Sequence, residues 1–191
     1  HLPTRRQRQM CIRDSMLAEE ADVVVAVGTR LQDFTTGSWS VFGNEQMRLI
    51  SINAARYDAH KHRALSVVGD ALAGIEELGQ ALEGWKAPDL WISKSRSLYA
   101  EWNNTVEQHS GPTTDVPPSY AHVIGAVNRV CDETDLALTA AGGFPGELCK
   151  NWKTKSSGTF DCEFGFSCMG YEIAGGWGAK MADPDRDVIV F

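Results

Sequence analysis

Two glycine-rich runs, Gly142-Gly143-Phe144-Pro145-Gly146 and Gly165-Phe166-Ser167-Cys168-Met169-Gly170, are the parts of this sequence best suited to hold a ligand. Backbone free of bulky side chains lets N–H groups come close to an anion, and a loop that opens into a helix adds that helix's unsatisfied first-turn amides. Met169 contributes an unbranched, polarisable side chain that fills irregular apolar space. Singly, each run is equally well explained by close helix packing. Together they outline one pocket, with an anion end at residues 142 to 146 and a flatter, apolar end at Met169. The segment that follows the second run reads as a helix carrying Gly175, Gly176 and Gly178. Each glycine in a helix interior costs about 1 kcal/mol against alanine. All three are therefore expected where a side chain would collide with a neighbouring backbone or a bound cofactor.

Other candidates carry less. Gly28-Thr29-Arg30 follows a strand-like run and could meet a phosphate through its amides and the arginine fork, but without a GxGxxG pattern the plainer reading is a tight strand-exit turn. His60, His62 and His122 lack the third ligand at matching spacing that zinc requires, and read as surface or core histidines. Asp161-Cys162-Glu163 has no histidine nearby in sequence to activate the thiol, and reads as an ordinary loop.

The elements that must position these runs are α/β in kind. Asp22 to Gly28 is a β-branched run ended by glycine and predicts a strand buried on both faces, the signature of a parallel sheet. Leu49 to Asn53 and Leu65 to Gly69 predict two more strands. Asp70 then offers an N-cap to a helix with Leu72, Ile75, Leu78 and Leu82 on one face. Trp91, Leu98, Trp102 and Val106 are spaced for a helix over 89–109, and Gly111-Pro112 and Pro117-Pro118 interrupt the chain. Ser119 is a plausible N-cap for a helix with Tyr120, Val123, Val127 and Val130 on one side, followed by a strand at Leu136 to Ala141. In open α/β sheets ligands lie beyond the carboxyl ends of the strands, which is where Gly142 and Gly143 fall. A last strand is expected at Asp187 to Phe191.

Composition limits the functional classes. The 191 residues are 43% hydrophobic with a net charge of -7, which argues against a nucleic-acid partner, since binding phosphates requires a basic face. The longest apolar run, Ala21 to Val27, is interrupted by Asp22 and is far short of the roughly 20 residues that cross a bilayer. Five scattered cysteines with no CxxC pair suggest reduced thiols in a cytoplasmic enzyme. The Arg-rich residues 1–15 differ from everything after them and are expected to be a non-native tail.

Phe164 to Met181, with Asp183-Pro184-Asp185-Arg186-Asp187-Val188-Ile189-Val190 after it, resembles the cofactor domain of thiamine-diphosphate enzymes just ahead of their Gly-Asp-Gly metal motif. Within that superfamily, residues 165–175, 27–38 and 52–61 resemble the 3D-(3,5/4)-trihydroxycyclohexane-1,2-dione hydrolases of myo-inositol catabolism. The resemblance covers the chain from about Met16 to Phe191 and implies parts of a three-domain α/β enzyme with parallel sheets flanked by helices. Residues 16–86 would belong to the middle domain, 87–118 to a linker helix and Pro-rich connector, and 119–191 to the first half of the C-terminal cofactor domain. It implies thiamine diphosphate and Mg2+ as cofactors. Gly142, Gly143 and Phe144 would meet the diphosphate, the Ser167 carbonyl would face the aminopyrimidine, and Met169 would prop the cofactor in its bent form, with Cys168 and Gly170 alongside. It further implies a cyclic polyol dione as substrate, ring opening to 5-deoxy-glucuronate, and a homo-oligomer, dimer or tetramer.

By the same resemblance the magnesium ligands would follow Phe191 and the glutamate that protonates the pyrimidine would precede Met16, so neither catalytic nor metal-binding residues are expected within this chain. Two other readings stand beside this one: an acetohydroxyacid synthase or 2-oxoacid decarboxylase type of thiamine enzyme, and a non-catalytic nucleotide-binding module resting on Gly28-Thr29-Arg30. The isolated chain, mixed with thiamine diphosphate, magnesium and the dione, is expected to give no ring-opened product; measurable turnover would overturn that expectation.

Overall fold

A computed structural model describes residues 12–163 and 165–191. Cys11, Phe164 and most of the Arg-rich tail lie outside the described residues, and residues 12 to 15 belong to the first helix, α1 (Ile12–Glu20). The chain divides into two compact units, one up to Glu101 and one from Trp102, each an α/β arrangement around its own parallel sheet.

In the first unit, β1 (Val23–Val27), β2 (Arg48–Asn53) and β3 (Leu65–Val68) form a parallel sheet in the order β1-β2-β3, with Val23 opposite Arg48 and Ile50 opposite Leu65. All three expected strands are present. Burial is less complete than the apolar run of β1 suggests: Val23 is 50% and Val25 40% exposed, and the central β2 holds the buried Leu49, Ser51, Ile52 and Asn53 instead. Two short helices, α2 (Asp33–Thr36) and α3 (Arg56–Ala59), lie in the connections. Asp70 caps α4 (Ala71–Ala81), accepting the Ala73 amide at 3.0 Å, as its sequence position predicts.

No residue of α4 is fully buried, which corrects the reading from apolar spacing. Leu72, Ile75 and Leu82 are exposed, and the helix approaches the sheet through Gly74, where a Cβ would stand 2.7 Å from Ile52 Cγ2. The closest approach uses the residue without a side chain, so the bulky residues beside it are turned away. On α5 (Asp89–Ser110) the expected face is the buried one, with Leu98 and Val106 each less than a tenth exposed.

The second unit opens with α6 (Tyr120–Val130). Ser119 caps it in a reciprocal box, its Oγ accepting the His122 amide while its own amide donates to His122 Nδ1. Here too the inward face differs from the expected one. Tyr120, Val123 and Val130 are exposed, whereas Ile124 and Gly125 are buried, because a Cβ on Gly125 would fall 2.0 Å from the Ser110 carbonyl oxygen. The sheet has the order β5-β4-β6, all parallel, from β4 (Leu136–Thr139), β5 (Phe160–Cys162) and β6 (Val188–Val190). Strand β5 replaces the ordinary loop expected at Asp161-Cys162-Glu163. Its three residues give too short a run for periodicity to register, and pairing with β4 places it.

Central β4 is buried throughout, with Ala137 and Thr139 fully inaccessible. Helix α7 (Phe144–Asn151) carries the chain from β4 to β5, and α8 (Tyr171–Ala182) carries it back past β4 to β6. The two crossovers run in opposite directions. Since parallel crossovers are right-handed, α7 and α8 fall on opposite faces of the sheet, and the topological switch point lies at the carboxyl end of β4.

Substituting Gly125→Ala should lower stability by about 3 kcal/mol, because a backbone carbonyl cannot yield as a side-chain tip can. Gly79→Ala, in α4 with no described atom within 4 Å of where the new methyl would stand, should instead stabilise by up to about 1 kcal/mol. Urea unfolding midpoints of the two variants check both signs.

Candidate functional site

The switch point joins the two runs singled out from sequence. Beyond β4 the chain passes Ala140 and Ala141 to Gly142, which takes φ 100°, and Gly143, the N-cap of α7. No described atom lies within 4 Å of a Cβ placed on Gly142, Gly143 or Gly146, so among the described residues this turn is an open cradle of backbone. The Phe144 ring is engaged elsewhere, 4.8 Å from Tyr120 and 5.5 Å from Phe191 between centroids, which leaves its backbone as what it can offer an anion. Pro145 follows in the first turn of α7, where an absent N–H is tolerated.

Beyond β5, the Glu163 carboxylate shapes the second run. Its Oε1 accepts the Phe166 amide and its Oε2 the Cys168 amide, both at 2.9 Å. Between those amides Ser167 takes φ 50°, a left-handed conformation costing a non-glycine residue about 1 to 2 kcal/mol. The two bonds from one carboxylate hold that strained residue from both sides. Gly170, at φ 95°, caps α8. Met169 is 89% exposed.

A second carboxylate links the runs. Glu172 Oε1 accepts the Ala141 amide at 2.9 Å, and its Oε2 accepts the Gly170 amide at 2.8 Å. The Ala141 amide, with the Glu172 and Gly170 amides behind it, holds the Glu172 carboxyl below the usual carboxylate range. Tyr171 donates its hydroxyl to Asp161 Oδ2 at 2.6 Å, which pushes the phenol up and ties α8 back to β5. From sequence, Glu163 reads as part of an ordinary loop and Glu172 is assigned no role. The available signal is an acid in the first turn of a helix after a glycine cap for Glu172, and for Glu163 an acid three residues ahead of a run of free amides.

The glycines of α8 divide in their roles. Gly176 meets β6, its Cβ position 2.6 Å from Val190 Cγ2, and Gly175 lies under the Tyr171 ring at 2.9 Å. Gly178 corrects the expectation of a collision, having nothing within 4 Å among the described residues. It lines instead a groove of about 590 Å³ with Gly170, Ile173, Ala174, Trp177 and Met181. Ile173, Trp177 and Met181 recur every four residues, and all are more than two-thirds exposed.

The remaining candidates are structural. The neighbouring Cys149 thiol, together with burial, pushes the Cys162 thiol up, away from the thiolate form a nucleophile needs; both cysteines are free. At Gly28-Thr29-Arg30, the Gly28 amide donates to the Ile52 carbonyl, Asn53 Nδ2 to the Thr29 carbonyl, and the Arg30 guanidinium to Gln32 Oε1. These are the bonds of a satisfied strand-exit turn. His60 Nδ1 bonds the Arg56 carbonyl, and His62 stacks on Trp39 at 3.9 Å. Among the described residues no three His, Cys, Asp or Glu side chains gather as a metal site. A concavity of about 910 Å³, lined by Trp39, Phe42, His62 and Arg63, belongs to the first unit at the amino-terminal ends of its strands, and contains neither glycine-rich run.

Among the described residues no helix is long and apolar enough to cross a membrane. The family description "Thiamine pyrophosphate enzyme, central domain" matches residues 12–78, and "Thiamine pyrophosphate enzyme, C-terminal TPP binding domain" matches residues 140–191. Similar curated proteins include 3D-(3,5/4)-trihydroxycyclohexane-1,2-dione hydrolases from Bacillus cereus (strain AH820), 35% identical, and from Geobacillus thermodenitrificans (strain NG80-2), 34% identical. Each match takes in 90% of this chain and 30% of the relative, so the chain spans about 30% of the length of the curated relatives it matches.

A depressed carboxyl stabilises the fold above the unfolded value, about 4.3 for glutamate, and that contribution is lost as pH falls through the lower folded value. Glu172→Gln should therefore flatten the acid limb of stability, read as denaturant midpoints from pH 7 to pH 3.

Proposed function

The chain belongs to the thiamine pyrophosphate enzymes, carrying sequence of their central and C-terminal cofactor-binding domains, and from that membership we propose that it comes from a hydrolase that opens the ring of 3D-trihydroxycyclohexane-1,2-dione to 5-deoxy-glucuronate. In this reading residues 16–86 are middle domain, 87–118 connector and 119–191 the first half of the cofactor domain, in a cytoplasmic homo-oligomer that also takes Mg2+.

The observation that carries the reading is the meeting of the two runs at the switch point of the second sheet, joined by Glu172. The open turn at Gly142 and Gly143 fits a diphosphate, because no described atom within 4 Å of either Cβ position fills the space and the first-turn amides of α7 begin there. Gly142, Gly143 and Phe144 would hold the diphosphate through backbone N–H groups. Ser167, Cys168, Met169 and Gly170 would hold the pyrimidine end, where the left-handed Ser167 presents backbone in a fixed orientation and Met169 supplies an apolar support. When bound, thiamine diphosphate would supply a carbanion nucleophile and a thiazolium ring able to take up the electrons of a broken carbon–carbon bond. The residues of this chain would bind, orient and bend it, and the exposed stripe Ile173, Trp177 and Met181 would be covered by a domain of a partner subunit.

The full-length enzyme with thiamine diphosphate, magnesium and the dione should release ring-opened acid; carbon dioxide from pyruvate in place of that product would assign it to the decarboxylase type. Met169→Ala should reduce turnover about tenfold or more through loss of the apolar support, with thermal stability unchanged.

A further inference from the structure

Glu172 differs in one respect from the other side chains at the site: its two oxygens serve two separate loops. Glu163 uses both oxygens within its own run, on the Phe166 and Cys168 amides. Glu172 takes the Ala141 amide immediately ahead of Gly142 with one oxygen and the Gly170 amide at the cap of α8 with the other. Ala141 and Gly170 are therefore held on opposite sides of one planar carboxylate. The charge of that carboxylate strengthens both bonds, and its place in the first turn of α8 favours the ionised form.

We infer that Glu172 is a positioning residue that sets the spacing between the diphosphate turn at Gly142–Phe144 and the pyrimidine loop at residues 167–170, touching neither end of the cofactor itself. The inference rests on the assignment of these two loops to thiamine diphosphate. A ligand gripped at both ends binds as a bivalent one, and its second contact is made at an effective concentration fixed by how the two grips are spaced. Loss of the link leaves each grip intact and loosens the distance between them. Glutamine is isosteric but offers only one acceptor oxygen, and its NH2 group opposes an N–H donor; aspartate keeps both oxygens on a stem one methylene shorter. Neither can hold both amides in the same way.

The test uses the full-length enzyme with magnesium and compares wild type, Glu172→Gln and Glu172→Asp. Calorimetry measures affinity for thiamine diphosphate, for thiamine and for inorganic diphosphate, and hydrogen exchange follows the Ala141 and Gly170 amides. Both variants are expected to bind the intact cofactor about tenfold or more weakly, while thiamine and inorganic diphosphate each stay within about twofold of wild type. Both amides should exchange faster. Unchanged affinity for the intact cofactor in both variants would overturn the positioning role and leave the cofactor assignment standing. Equal weakening of the cofactor and its two halves would also overturn it, since that is the mark of a general structural defect. A wild-type enzyme that binds no thiamine diphosphate would remove the cofactor assignment, and this inference with it.

Discussion

Strand β4 pairs on both edges, with β5 through Ala137 to Thr139 and with β6 through Leu136 to Leu138, and the second unit is organised around that double pairing. A central parallel strand has no solvent-facing edge and both its faces are covered by helices, so its residues must be compact and apolar or internally bonded. Leu136, Ala137 and Leu138 satisfy the first condition. Thr139 satisfies the second by donating its hydroxyl to the Phe191 carbonyl. Because the chain leaves β4 for one neighbour and later crosses to the other, the carboxyl end of β4 is the place where backbone must separate. The parting of backbone there is a consequence of topology and requires no special side chain.

The two loops at that end are backbone held by carboxylates. Loops rich in glycine are suited to approach an anion but are entropically free, and something must order them before a ligand arrives. Glu163 and Glu172 do so with four amide bonds of 2.8 to 2.9 Å, and Asp161 adds a fifth contact through Tyr171. These are charge-assisted bonds to N–H groups that would otherwise bind water. The left-handed Ser167 is the clearest sign of the order imposed, since an unsupported serine would relax out of that conformation.

Helix packing follows a related logic. Glycine makes close approaches in both units: a Cβ on Gly74 would meet the Ile52 side chain, one on Gly125 the Ser110 carbonyl and one on Gly176 the Val190 side chain. Large apolar residues of two of these helices, Leu72 and Ile75 on α4 and Trp177 and Met181 on α8, are exposed. Apolar spacing therefore marks helical segments without showing which side packs inward.

Local chemistry made much of this legible in the sequence alone. Short apolar runs mark β1 to β3, with Gly28 and Gly69 closing the first and third, the capping oxygens of Asp70 and Ser119 act within three residues, and the two glycine-rich runs are contiguous in the chain. The parallel α/β class and the location of the loops follow from such short-range signals. The three residues of β5 acquire their conformation from β4, and Glu172 reaches Ala141 across 31 positions of sequence. Only the tertiary structure could decide these, because a hydrogen bond between distant segments leaves no periodicity in either one.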